Sequence, residues 1–264
     1  YKGQFKRSKF DGQGIFYANS GAIYSGLFKS GQFHGRGAFT TADGSKYYGL
    51  WRAGKRHGTG TQAYVDNGKY VGEWRDDKRE GIGTYSDADG GIYDGMWRTD
   101  MRDGRGTQTY ADGGVYKGDF NRDLVDGLGV YLYSDGSRYA GEWQMDHPEG
   151  QGLYVSVAGD SYLGEFKRGL FDGQGDYLAS DGEAYAGMWR SGKRHGRGTQ
   201  TDPSGAVYTG DFEADFRQGQ GVSTYPDGSI YTGAWQADQY KGKGSCVTVK
   251  GETYVGQFTD SWVD

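Results

Sequence analysis

An all-β fold, a single-layer antiparallel meander of short β-hairpins, is predicted for this chain, and three observations carry the prediction. The pattern Tyr-x-Gly-x-Trp/Phe begins at Tyr1, Tyr24, Tyr47, Tyr70, Tyr93, Tyr116, Tyr139, Tyr162, Tyr185, Tyr208, Tyr231 and Tyr254, always 23 residues apart. A Gly-x-Gly pair follows each of the first eleven starts at a fixed offset, from Gly12 and Gly14 to Gly242 and Gly244. The composition joins 51 glycines and 16% aromatic residues to only 34% hydrophobic residues and 3 prolines. Self-similarity at a fixed period marks a repeat architecture. Residues 1–264 therefore read as one continuous array: eleven full repeats and an eleven-residue start of a twelfth at 254, with no linker between them.

Each repeat reads as two strands. The stretch Tyr70-Val-Gly-Glu-Trp74 alternates, which puts Tyr70, Gly72 and Trp74 on one face of a strand. The second strand lies near Gly81-Ile-Gly-Thr-Tyr85 and carries Gly, Gly and an aromatic on one face. Between them stands a position that is only Gly, Asp or Ser, as at Ser8, Gly31, Gly54, Asp77, Asp100 and Asp123. These residue types form turns, because each supplies a positive φ or a local hydrogen bond. The link to the next repeat is often Asp-Gly, as at Asp43-Gly44 and Asp89-Gly90, a strong short hairpin signal. Its closing Gly is replaced once, by Asn67. Asn is the residue that best tolerates the left-handed region after Gly, so a positive φ is predicted there.

The glycines of the aromatic face are expected to give each ring a bare surface to lie on. Each ring buries roughly 150–250 Å², so a row of them would replace an ordinary core. From Trp97 onward the second aromatic alternates as Trp97, Phe120, Trp143, Phe166, Trp189, Phe212, Trp235 and Phe258, which suits interdigitating large and smaller rings. The opposite face is mixed, with Gln4, Leu27, Glu73, Met96, Asp119 and Glu142 at one equivalent position, and is expected to be half wet. Strands about 4.8 Å apart would give about 10 Å per repeat and a twisted rod on the order of 110 Å.

The formal net charge is −5 and the pI about 5.4, so no global field draws DNA, RNA or an anionic membrane. The single cysteine, Cys246, excludes an intramolecular disulfide framework and suits a reducing compartment. It stands where other repeats carry Phe16, Phe39 or Tyr85, which reads as a small apolar substitute. No run of about 18 apolar residues predicts a transmembrane helix, and the first residues lack a signal-peptide pattern.

The unit, Tyr-x-Gly-x-Trp/Phe followed by Gly-x-Gly at a spacing of 23, closely resembles the MORN repeat family over the whole chain. The resemblance implies an elongated, twisted, single-layer β-sheet. It also implies roles as scaffolds at cytoskeletal structures, in ciliary and flagellar parts and at membrane–cytoskeleton junctions. Members of the family have been linked to phospholipids, and arrays of this kind often dimerise.

Catalytic and metal readings find little support in the residues. Of His34, His57, His147 and His195, three hold the position just before Gly-x-Gly, where other repeats carry Asp11, Glu80 or Lys241. Neighbours one repeat apart would be about 10 Å distant, too far to share a zinc ion. No metal site and no cofactor are expected. The 35 carboxylates recur at turns, and no repeat marks one pair as special. No phosphate loop, nucleophile elbow or paired cysteine is present, and the Gly-x-Gly pairs precede no helix. No enzyme is expected.

The reading is a cytoplasmic, non-enzymatic scaffold whose partners are cytoskeletal or axonemal proteins. A partner-binding groove is expected along Tyr47, Trp51, Tyr70, Trp74, Tyr93, Trp97, Tyr139, Trp143, Tyr185 and Trp189. A homodimer is expected through the C-terminal repeats, with Tyr231, Trp235, Tyr254, Phe258 and Trp262 at its interface, Trp262 being a departure from the repeat and a favoured type of anchor. The alternative is a peripheral membrane module that meets anionic phosphoinositides through Arg52, Lys55, Arg56, Arg75, Lys78, Arg79, Arg190, Lys193 and Arg194. Against it stand the acids in the same loops, Asp76, Asp77, Glu80, Asp100 and Asp103, which favour a salt-bridged rim. No nucleic-acid partner is expected.

Overall fold

The sequence folds as the alternation predicts, into strands joined by tight turns. The computed structural model describes residues 1–259, and of residues 262 and 263 only their strand pairing. No helix forms among the described residues, and none is long and apolar enough to cross a membrane. Contacts group the chain into two compact units, residues 1–134 and 135–264.

The first unit is six hairpins: β1 (Lys2–Lys6) with β2 (Lys9–Tyr17), β3 (Ile23–Lys29) with β4 (Gln32–Thr40), β5 (Lys46–Arg52) with β6 (Lys55–Ala63), β7 (Lys69–Arg75) with β8 (Lys78–Ser86), β9 (Ile92–Arg98) with β10 (Met101–Thr109), and β11 (Val115–Asn121) with β12 (Leu124–Leu132). The second holds β13 (Arg138–Gln144) with β14 (His147–Val155), β15 (Ser161–Lys167) with β16 (Leu170–Leu178), β17 (Ala184–Arg190) with β18 (Lys193–Thr201), β19 (Val207–Glu213) with β20 (Phe216–Thr224), β21 (Ile230–Gln236) with β22 (Gln239–Val247), and β23 (Thr253–Thr259) with β24 (Trp262–Val263). Within each unit every strand pairs antiparallel with its neighbours in the chain, so each is a single-layer meander.

The register repeats with the sequence. In the fourth repeat Tyr70 faces Tyr85, Gly72 faces Gly83 and Trp74 faces Arg79. Between Gly72 and Glu73 the register shifts at a bulge, and Gly81 takes φ +64° there. The second glycine of the pair has a different duty. A Cβ on Gly83 would lie 2.3 Å from the Tyr70 hydroxyl, because the phenol lies flat on the backbone. That hydroxyl donates to the Glu73 carbonyl at 3.0 Å, which ties the ring to its own strand. The bare surface expected under each ring is present.

The two turns differ in kind. Inside each hairpin the link has two residues, and both can be left-handed: φ is +50° and +72° at Asp76 and Asp77. That is the backbone of a type I′ turn, whose twist matches the strands. The link between repeats is longer than the Asp-Gly signal suggests. Residues 41–45 close it, with Thr41 N–H donating to the Ser45 carbonyl at 3.0 Å and Gly44 N–H to the Thr41 carbonyl at 3.1 Å. Here Asp43 acts through its side chain, accepting from the Thr41 hydroxyl and from Ser45 N–H. Those bonds hold its carboxyl below the usual carboxylate range, the Thr41 hydroxyl most of all. Asn67 adopts φ +70°, as its substitution for glycine predicts.

Candidate interaction surfaces

The aromatic face is the core of each unit. Each tyrosine stands edge-on between two rings: Tyr47 meets Trp51 at 5.1 Å and Trp74 at 5.5 Å, and Tyr70 meets Trp74 at 5.1 Å and Trp97 at 5.4 Å, all near perpendicular. Such pairs favour edge-to-face geometry because the ring edge is positive and its face negative. The indole N–H of Trp97 also donates to the Gly83 carbonyl, at 2.8 Å. Burial pushes the phenols of Tyr24, Tyr47, Tyr93 and Tyr185 up to about 12.

A second layer lies over these rings, supplied by the tenth residue of each repeat. Phe33 stacks on Tyr24 at 3.8 Å and Phe171 on Tyr162 at 3.7 Å. Where that residue is arginine, its guanidinium covers the next repeat's ring: Arg56 lies 4.1 Å over Trp74 and Arg79 4.0 Å over Trp97. The arginine is held by the turn of the following repeat. Arg56 N–H and Nε both donate to Asp77 Oδ1, at 2.9 and 3.2 Å, and Nη2 donates to the Asp77 carbonyl at 2.8 Å. The same clasp joins Arg79 to Asp100 and Arg102 to Asp123 in the first unit, and Arg194 to Asp215 and Arg217 to Asp238 in the second.

The clasp is a two-letter code. Where the tenth residue is Phe10, Phe33, Pro148 or Phe171, the facing turn residue is Gly31, Gly54, Gly169 or Gly192. In both versions the turn N–H donates to the carbonyl of the tenth residue, as from Gly31 to Phe10 at 2.8 Å and from Asp77 to Arg56 at 3.1 Å. Asp77, Asp100, Asp123, Asp215 and Asp238 each meet a guanidinium, whereas Asp146, in the same column after Val125, departs from the code. The reading of this column as turn formers alone misses the partner; setting it beside the tenth column, one repeat earlier, would have found it.

These facts locate the expected sites. The ten rings Tyr47, Trp51, Tyr70, Trp74, Tyr93, Trp97, Tyr139, Trp143, Tyr185 and Trp189 are 0–8% exposed, so they are packed core and present no open groove wall. In the C-terminal set Tyr231, Trp235 and Phe258 are likewise buried and Tyr254 is half-buried, while the Trp262 side chain lies outside the described residues. Of the basic set, Arg56, Arg79 and Arg194 are committed to the clasp. Arg52, Lys55, Arg75, Lys78, Arg190 and Lys193 are exposed at the hairpin turns, with no ion pair among the described residues. The expectation of a salt-bridged rim thus applies to the arginines at the tenth position and to Arg98, which meets Asp103 at 3.4 Å. Cys246 faces Tyr231 across the ladder in the half-buried place of an aromatic. No group of His, Cys, Asp and Glu that would hold a metal ion is found among the described residues.

The reverse face carries exposed apolar side chains. In the first unit Tyr48, Leu50, Val71, Ile82 and Met96 are exposed there, Tyr48 by 62% and Ile82 by 66%. Tyr48 and Val71 flank Thr61 across the ladder, and Ile82 faces Met96. Tyr48, Leu50, Val71 and Ile82 line an open trough of about 540 Å³ edged by Arg36 and Glu73. The second unit has a more polar trough of about 600 Å³, with Ala186, Thr199, Thr209, Val222 and Thr232 along it. Its Thr199 and Thr209 hydroxyls lie 3.1 Å apart.

The MORN repeat model matches eleven consecutive segments, from residues 1–23 and 24–46 through to 231–253. The chain belongs to the MORN repeat family. No curated protein matches the MORN array. Among solved structures it is similar to the TCP10 domain of Danio rerio CPAP, at 14% identity and a TM-score of 0.41 over 75% of this chain and 93% of that one. It is also similar to the TCP domain of Drosophila melanogaster SAS-4 bound to a proline-rich motif of Ana2, at 12% identity and a TM-score of 0.35 over 69% and 90%. A streptogramin B lyase structure matches at 12% identity and a TM-score of 0.16 over 94% and 83%. At such scores these likenesses carry no argument about what the MORN array binds.

Proposed function

We propose that this MORN array is a non-enzymatic scaffold that holds protein partners of a cytoskeletal assembly on the reverse face of its sheet units. The carrying observation is the exposure of large apolar side chains on that face, Tyr48, Val71, Ile82 and Met96, while the rings opposite are sealed. Covering such side chains is worth roughly 25 cal/mol per Å² of apolar area removed from water. A strand or helix of a partner laid in the trough would gain that without disturbing the core. Paired Val71→Asp and Ile82→Asp substitutions test this, because both positions are exposed and the fold tolerates them. Quantitative affinity capture from a cytoskeletal extract is expected to lose its specific partners several-fold, with circular dichroism unchanged. Identical capture by the variant would refute the reading.

A second reading rests on the hairpin turns. Arg52 faces Lys55, Arg75 faces Lys78 and Arg190 faces Lys193 across their ladders, each an exposed pair of like charges. Each Lys or Arg of these pairs would add about 1 kcal/mol near an anionic membrane. Sedimentation with phosphoinositide vesicles at about 0.15 M salt, where the Debye length is about 8 Å, decides it. Self-association through the last repeats is a separate proposal. With Tyr231, Trp235 and Phe258 buried, its interface would be made by other residues of those repeats. Light scattering that gives the 29.0 kDa of one chain at micromolar concentration would end that idea.

A further inference from the structure

The clasp arginines have one donor left over, and the repeats satisfy it in different ways. In the third and fifth repeats a glutamine does so. Arg56 Nη1 donates to Gln62 Oε1 at 3.1 Å and Arg102 Nη1 to Gln108 Oε1 at 3.0 Å. The glutamine amide groups donate in turn to the carbonyls of Ala63 and Thr109, at 3.1 and 3.0 Å. In the ninth repeat Glu183 takes both Arg194 Nη1 and the Gln200 amide, at 3.0 and 2.7 Å. The fourth repeat covers Arg79 with the Tyr85 ring, 5.6 Å away.

The tenth repeat does none of these. Arg217 keeps the clasp, with its N–H and Nε on Asp238 Oδ1 at 2.8 and 3.1 Å and Nη2 on the Asp238 carbonyl at 3.2 Å. The residue in the glutamine position is Ser223, too short to reach it. Among the described residues, neither Arg217 Nη1 nor the Ser223 hydroxyl has a hydrogen-bond partner in the protein. Where the glutamine side chain would lie there is a cavity of about 240 Å³, walled by Arg217, Ser223, Gln200, Tyr225 and Asp202. Thr224 carries the carbonyl equivalent to those of Ala63 and Thr109.

We propose that this cavity binds a primary carboxamide, the side chain of a glutamine or asparagine on a protein partner. Its oxygen would accept from Arg217 Nη1 and Ser223, and its NH₂ would donate to the Thr224 carbonyl or to Asp202. Gln62 and Gln108 show the same bonding inside the chain. Charge separates the carboxamide from a carboxylate. Arg217 is already matched by Asp238, and Arg194 by Asp215 and Glu183. Asp202 accepts from Ser204 and Ala206 and pairs with no cation among the described residues, so it leaves a negative excess at the cavity. A second anion would meet that carboxylate; a neutral amide would use it.

The proposal deepens the scaffold reading, but its test does not depend on the trough. Propionamide is titrated into the intact chain while the arginine Nε–Hε resonances are followed by NMR, with propionate as the control. A saturable shift at Arg217 is expected, with Arg56 and Arg102 unmoved because their own glutamines fill the equivalent space. Ser223→Gln supplies the missing side chain, so it is expected to raise the melting temperature and weaken propionamide binding at least tenfold. Should that variant fail to fold, Ser223→Ala keeps the cavity and is expected to weaken binding several-fold. Absence of a saturable shift at Arg217, an equal shift at Arg56, or propionate binding as tightly as propionamide would overturn the assignment. Failure of the trough variants leaves this readout unchanged, so the two proposals fall separately.

Discussion

At the scale of single residues, the type I′ turns store strain where they use side chains with a Cβ. Thr99 adopts φ +49° and Met145 φ +48°. A β-branched residue in that region is a genuine outlier, and the left-handed region costs roughly 1–2 kcal/mol for residues other than glycine. Part of that returns as the greater freedom glycine has in the unfolded chain. Thr99→Gly is therefore expected to stabilise by about 1 kcal/mol, seen as a rise in melting temperature of about 2–4 °C. The buried phenols give a pH dependence of definite sign. Below pH 10 these buried phenols are protonated in both folded and unfolded chains, so they add no slope. Between pH 10 and 12 the unfolded chain releases protons that Tyr24, Tyr47, Tyr93 and Tyr185 retain. Stability contributed by the buried neutral rings is present below the free phenol value and is lost as pH rises toward 12. The urea midpoint is expected to hold from pH 7 to 9 and fall steeply above 10, with loss of β-sheet signal accompanying it. Release of the Tyr24, Tyr47, Tyr93 or Tyr185 proton near pH 10 in a chain still folded would contradict their burial.

At the scale of the hairpin, the link between repeats is chosen by pairs of residues 21 apart. Asp77→Gly alone keeps the turn but leaves the Arg56 N–H and Nε without their carboxylate acceptor. Arg56→Phe alone leaves Asp77 beside a ring. Together they copy the Phe10 and Gly31 arrangement found in the same unit. A double-mutant cycle is expected to show each single change destabilising and the pair nearly neutral, with a coupling of about 1–2 kcal/mol from the charge-assisted bonds. Additive effects would mean that the clasp is only proximity. The glycine pair is less forgiving. Gly83→Ala would set a methyl 2.3 Å from the Tyr70 hydroxyl, and overpacking of this kind costs typically 1–3 kcal/mol.

At the scale of the whole molecule, each strand packs chiefly against its neighbours in the chain, so a repeat can be removed if the new junction is compatible. The code says which removals are. Deleting residues 70–92 joins the third repeat to the fifth and sets Arg56 against Asp100. Deleting residues 47–69 sets Phe33 against Asp77 and buries an acid beside a ring with no guanidinium. The first deletion is expected to melt within a few degrees of the intact protein and the second clearly lower, by calorimetry. Equal melting would remove the code from any role in joining repeats.

The 23-residue period, the two strands, the glycine bed and the left-handed Asn67 were all legible in the sequence, because each follows from local backbone chemistry repeated without change. The family was legible for the same reason. The Arg–Asp clasp was also written there, in two columns offset by one repeat, but register alone brings Arg56 to Asp77. What only the tertiary structure decided is which face is available. Alternation says that rings share a side; it does not say that Phe33 or Arg56 then lies over them and seals that side. Exposure depends on the sum of neighbours around a side chain, drawn here from three strands at once, and no single strand carries it. Ser223 shows the same limit at one residue: a small polar side chain in the sequence becomes a cavity only because the arginine, the turn and the tyrosines around it are held by the rest of the sheet.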